Sequence, residues 1–134
     1  MRQILLFAAL AALLALLSGC TLSKAKADTA EDMPDKAAYH KLSAEEAYEM
    51  MASQEVVVVD VRTREEYDGG HIENAVLVPN ESIGSDMPEA LPDKEATLLV
   101  YCRSGRRSKD AAQKLLALGY QSVYDFGGVI DWPY

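Results

Sequence analysis

Leu98-Leu99-Val100-Tyr101-Cys102-Arg103-Ser104-Gly105-Arg106-Arg107-Ser108 runs from an apolar tetrad into a glycine-containing, arginine-rich loop. The tetrad reads as a strand. Beyond the loop, Lys109 to Leu118 repeats apolar residues at helical spacing, at Ala112, Leu115, Leu116 and Leu118, and Gly119 stops the pattern. A strand feeding a short loop and then an amphipathic helix is half of a β-α-β unit. It sets Cys102 at the carboxyl end of a strand, where ligands sit in open α/β sheets.

The surrounding sequence repeats that alternation. Ser43-Ala44-Glu45-Glu46 is a capping box, followed by Ala47, Met50 and Met51 at helical spacing. Val56-Val57-Val58-Val59-Asp60-Val61 is apolar without alternation, as a strand covered on both faces is. Thr63-Arg64-Glu65-Glu66 is a second capping box, opening a short helix that stops near Asp68-Gly69-Gly70. Ala75 to Val78 and Val123 to Phe126 read as two further strands, with Gly127-Gly128 turning toward a short helix at Val129 to Trp132. Asn80 to Lys94 reads as loop with one helical turn. The pattern predicts a single α/β domain with a mostly parallel central sheet flanked by helices, and the active loop at the C-terminal end of a strand.

The loop also declares its chemistry. The chain has 13 Lys+Arg against 21 Asp+Glu, a formal net charge of -8, yet Arg103, Arg106 and Arg107 gather beside Cys102. Guanidinium groups and converging N–H groups at a helix N-terminus favour thiolate, and can bring a cysteine from about 8.5 to roughly 3.5–7.5. The thiolate is the nucleophile. The plainer readings are a solvated arginine face and an inert buried cysteine; Gly105 and Ser108 at turn-to-helix spacing argue against them. The acidic balance argues against nucleic acid as partner, since phosphate backbones call for a basic footprint. No cluster of His and Cys offers a metal site, and no cofactor is expected.

The first residues read as a targeting segment. Arg2 precedes an apolar run from Ile4 to Leu17, too short for a span of about 20 residues and suited to a signal peptide. It ends in Leu17-Ser18-Gly19-Cys20, which resembles the lipobox of bacterial lipoproteins. That resemblance implies cleavage before Cys20, a lipid on Cys20, and an extracytoplasmic, membrane-anchored protein of the cell envelope. The expected organisation is 1–19 signal peptide, 20–38 lipidated cysteine and flexible tether, and 39–134 folded domain, a monomer. Cys102 is then left without an internal disulfide partner, a mark of reactivity outside the cytoplasm.

Together the motifs resemble a rhodanese domain. Asp60-Val61-Arg62, then Glu66-Tyr67 and Gly70-His71-Ile72-Glu73-Asn74-Ala75, resemble the family's first signature; Cys102 to Ser108 resembles its active loop; Gly127-Gly128-Val129-Ile130-Asp131-Trp132 resembles its closing segment. The resemblance implies sulfane-sulfur transfer from a small anionic donor such as thiosulfate, through a Cys102 persulfide, to cyanide or a thiol. It makes Cys102 and Arg107 catalytic, with Arg107 pairing the donor or the persulfide charge. Arg103, Ser104, Gly105, Arg106 and Arg107 bind substrate, and Ser108 caps the following helix. Asp60, Arg62 and Glu66 form a buried network supporting the first strand and helix, and His71 is structural rather than a partner base. Two rivals remain: a persulfide carrier or redox-sensing module serving a partner protein, and an arsenate reductase or phosphatase of the Cys-x5-Arg type. In the latter type five residues separate Cys from Arg; here four separate Cys102 from Arg107.

Overall fold

The computed structural model describes residues 38–134. The expected signal segment and the Cys20 anchor lie outside the described residues. Strands and helices follow in the order β1 (His40–Lys41), α1 (Ala44–Ser53), β2 (Val57–Asp60), α2 (Arg64–Asp68), β3 (Val76–Leu77), β4 (Thr97–Cys102), α3 (Arg106–Ala117) and β5 (Ser122–Gly128). Single 3-10 turns cover Asn80–Ser82 and Val129–Asp131. The sheet has five strands in the order β1-β5-β4-β2-β3, every neighbouring pair parallel.

Both capping boxes form. Ser43 Oγ accepts the Glu46 N–H at 3.2 Å while Glu46 accepts the Ser43 N–H at 2.7 Å. Thr63 and Glu66 repeat the exchange at 3.3 and 3.1 Å. Each box satisfies N–H groups that a helix start leaves without intrahelical partners.

The central strands alternate between two apolar layers, as a period of two requires. Leu98, Val100 and Cys102 point to the layer that holds Ala111, Ala112 and Leu115 of α3. Leu99 and Tyr101 point to the layer with Ala47 of α1 and Phe126, against which Tyr67, Ile72 and Trp132 pack. Cys102 thus leaves the sheet on the α3 side.

Three local features differ from the sequence reading. The edge strand β1 is a two-residue pairing with β5, too short to show a pattern. Gly127 and Gly128 do not turn out of the sheet; they end β5, paired with Tyr101 and Cys102 after a register shift. Helix α3 begins at Arg106, so Ser108 lies inside it rather than capping it, and the N-cap is Gly105.

Candidate active site

Cys102 is the last residue of β4, and the chain turns at once into α3. That reversal needs a backbone few residues adopt. Gly105 supplies it with φ 99°, in the left-handed region where a Cβ is unwelcome. Having no side chain, Gly105 cannot cap the helix it starts. The sulfur takes that place, drawing the Ser108 N–H of the first turn, and the Gly105 N–H donates to it at 3.0 Å.

Cys102 is nearly enclosed, at 1 % exposure. Burial pushes the Cys102 thiol up, but backbone hydrogen bonds, first from the Ser108 N–H and then from the Gly105 and Ser104 N–H groups, outweigh it, leaving the thiol below its ordinary range. Backbone amides of the loop and of the first turn of α3 therefore do much of the work that the sequence reading divided between amides and arginines. Among the described residues Cys102 is the free cysteine.

Arg107 reaches from α3 to the start of α2. Its guanidinium is held by Glu66 in a bidentate pair, Nη1 to Oε2 at 2.7 Å and Nη2 to Oε1 at 2.8 Å. The planar fork matches a carboxylate better than a single sulfur atom. The pair holds Glu66 far below the usual carboxylate range, at about 2, with the Arg107 hydrogen bonds the largest cause. Arg107 also feels the Cys102 charge. Glu66 consequently departs from the buried network assigned to it: it closes the α2 cap and ties that helix to the reactive loop.

Asp60 and Arg62 do form a buried network. Asp60 accepts Arg62 Nε at 3.0 Å and Nη2 at 2.7 Å, and the Tyr101 hydroxyl at 2.6 Å. Arg62 Nη2 also donates to Gly70 O at 2.7 Å, and Tyr101 Oη accepts the Ile72 N–H at 3.1 Å. The network pins the Gly70–Ile72 turn to the end of β4. His71 lies outside the loop: its ring stacks on Tyr67 at 3.7 Å and its Nδ1 meets Tyr67 O at 2.9 Å. Arg103, Ser104 and Arg106 are exposed around the loop mouth. A cleft of about 660 Å³ lies beside His71, Met51 and Trp132, and no residue of the Cys102 loop lines it.

Ser108 and Asp125 carry more of the site than the sequence disclosed. Ser108 is fully buried, with its hydroxyl 2.7 Å from Asp125 Oδ1 and 3.7 Å from Cys102 Sγ. Asp125, 1 % exposed, also accepts the Gly127 N–H at 2.8 Å and the Tyr39 hydroxyl at 2.7 Å, and faces Lys41 Nζ at 3.3 Å. An aspartate within the apolar run Val123-Tyr124-Asp125-Phe126 was the available signal, because a buried carboxylate calls for several donors.

Comparison with known proteins agrees with this architecture. The profile of the Rhodanese-like domain family matches residues 43–132. The chain belongs to that family. It is 34% identical over 98 residues to the tRNA uridine(34) hydroxylase of Yersinia pestis, covering 69% of this chain and 28% of that protein. The chain thus spans under a third of the length of that curated relative. The human single-domain sulfurtransferase TSTD1 superposes with a TM-score of 0.62 at 28% identity, covering 69% of this chain and 93% of that one. A rhodanese from E. coli determined with anions superposes at 0.53 with 35% identity, covering 57% and 91%.

Proposed function

We propose that the protein is a sulfurtransferase that carries sulfane sulfur on Cys102. The observation that carries this reading is the sulfur held by the Gly105 N–H at 3.0 Å, at the mouth of a loop that favours thiolate. The thiolate attacks the outer sulfur of a donor such as thiosulfate. A Cys102–S bond forms, the donor's S–S bond breaks, and sulfite leaves with the bonding pair. Cyanide or an external thiolate then attacks the terminal sulfur, and the pair of the Cys102–S bond returns to Cys102. No redox partner or metal enters the balance, and among the described residues no His/Cys/Asp/Glu cluster could hold a metal.

Two features favour sulfur over a tetrahedral oxyanion. Cys102 is 1 % exposed, so a donor must reach its sulfur with a narrow terminal atom. Arg107, which would clamp an oxyanion, is neutralised bidentately by Glu66. Exposed Arg103 and Arg106 remain to attract the anionic donor. A persulfide carrier for a partner protein would use the same residues and is separated from an enzyme by multiple turnovers with small thiols.

The localisation proposed is a cell-envelope lipoprotein, held to a bacterial membrane through Cys20 as a monomer, with 1–19 removed and 20–38 as tether. Among the described residues no helix is long and apolar enough to cross a membrane. With a net charge of -8, no nucleic-acid partner is proposed.

The deciding experiment is the mass of the Cys102 peptide from the full chain before and after thiosulfate. One added sulfur, removed by cyanide and absent in Cys102→Ser, is expected. An unmodified but alkylatable Cys102 would overturn the reading, and arsenate and phosphate esters would then be the substrates to test.

A further inference from the structure

Ser108 has one hydroxyl proton and several acceptors around it. Asp125 Oδ1 stands at 2.7 Å, Gly105 O at 3.1 Å and Gly127 O at 3.3 Å. Cys102 Sγ stands at 3.7 Å, within reach for sulfur. A hydroxyl donates once. The shortest contact, to an ionised acceptor, claims the proton. Ser108 then shows the sulfur its lone pairs, and the neutral thiol donates S–H to Ser108 Oγ. A thiolate needs the reverse, with the Ser108 proton turned toward sulfur.

Asp125 is built to keep its claim. Its carboxylate is anchored by the Tyr39 hydroxyl, just before β1, at 2.7 Å, by Lys41 Nζ of β1 at 3.3 Å, and from β5 by the Gly127 N–H at 2.8 Å. We infer that Asp125 is a positioning residue for the reactive sulfur: by holding the single Ser108 proton it withholds a hydrogen bond from the Cys102 thiolate and sets how readily the thiol ionises. The advantage is chemical. Thiolate nucleophilicity falls as its stabilisation rises, so a sulfur held by every available donor would be ionised but sluggish. The backbone N–H groups supply the ionisation, and Asp125 limits it. This goes beyond the sulfur-transfer reading, since it concerns the thiol before any donor arrives.

The other charges near the pair are accounted for. Arg107 acts on Cys102 from α3 and is itself countered by Glu66 and Glu81. Lys109 Nζ sits 6.0 Å over the Tyr39 ring. None of these contacts the Ser108 hydroxyl, so a change at Asp125 transmitted through Ser108 is separable from them.

The test is the pH dependence of Cys102 alkylation by iodoacetamide in the full chain, read on the Cys102 peptide by mass. Asp125→Asn weakens the acceptor and frees the Ser108 proton. The alkylation midpoint is expected to fall by about one pH unit, the worth of one hydrogen bond to a charged group. In a Ser108→Ala background the same substitution is expected to leave the midpoint in place. An equal shift in both backgrounds would show only the field of the carboxylate and would overturn the inference, as would no shift or a rise beside intact Ser108. Should a buried variant fail to fold, Tyr39→Phe decides by itself. It changes no charge, strengthens the Asp125 claim on Ser108 and should raise the midpoint; an unchanged or lowered midpoint refutes the inference. Because alkylation needs no sulfur donor, these outcomes are independent of whether thiosulfate is a substrate.

Discussion

Gly128 lies against Arg103 so closely that a Cβ placed on it would stand 2.2 Å from the Arg103 carbonyl oxygen and 2.7 Å from Ser104 Cα. Both are backbone atoms, so no side-chain rotation relieves the overlap. The reactive loop rests directly on the bare end of β5. Gly128→Ala must therefore push Arg103 and Ser104 outward and open the donor set around Cys102. Persulfide formation at Cys102 should drop by about two orders of magnitude, as small displacements of reacting groups cost. Helical circular dichroism should be retained at room temperature. Cys102 peptide mass after a timed thiosulfate pulse is the check; native rates would show that the loop tolerates displacement.

The Glu66–Arg107 pair predicts an acid-sensitive element of stability. Glu66 is held at about 2 in the folded protein, against an ordinary value near 4.3. A carboxylate lowered on folding contributes stability that is complete above its unfolded value and is lost as pH falls toward its folded one. The loss should run from about pH 5 down to about pH 2, and amount to on the order of 1–2 kcal/mol for a partly exposed bidentate pair. Melting temperatures across that range should fall more steeply for the native chain than for Glu66→Gln. Parallel curves would mean that the pair contributes nothing to folding.

The contrast between Glu66 and Asp60 shows what the sequence made legible. Capping boxes are local, so Ser43–Glu46 and Thr63–Glu66 could be read from four residues each, and both form. Strands β2 and β4 announced themselves by composition, and the parallel sheet followed from their alternation with helices. The second bond of Glu66, to Arg107, joins residues 41 apart and leaves no trace in spacing. Ser108 offered a hydroxyl beside a loop, which suggests a cap; only the left-handed Gly105 moves the helix start and turns Ser108 inward. Edge strand β1 was invisible because two residues make no period.

Tyr101 separates scaffold from chemistry. Its hydroxyl donates to Asp60 at 2.6 Å and accepts the Ile72 N–H at 3.1 Å, and its ring is fully buried. Tyr101→Phe leaves the ring volume, but strips a donor from a buried carboxylate and a partner from a backbone amide. The expected cost is about 1–3 kcal/mol. For a domain of this size the melting temperature should fall by roughly 4–8 °C per kcal/mol. The alkylation midpoint of Cys102 should stay put, because Tyr101 points into the opposite layer. A moved midpoint would place Tyr101 in the thiol's own environment.

The lowered Cys102 thiol should also appear in folding energetics. Its unfolded value is about 8.5 and its folded value lies lower. An acid lowered on folding adds stability that is fully present above the unfolded value and disappears as pH falls through the folded one. Unfolding free energy should therefore climb as pH rises toward about 8.5 and level off beyond it, with a slope no steeper than about 1.4 kcal/mol per pH unit for one proton. Cys102→Ser removes the titrating group and should flatten that climb while leaving the acid limb of Glu66 in place. Urea midpoints from about pH 6 to pH 9 for the two proteins, under reductant, measure the difference. Curves that stay parallel throughout would mean that the loop does not stabilise the thiolate, and the sulfur cap of α3 would lose its electrostatic role.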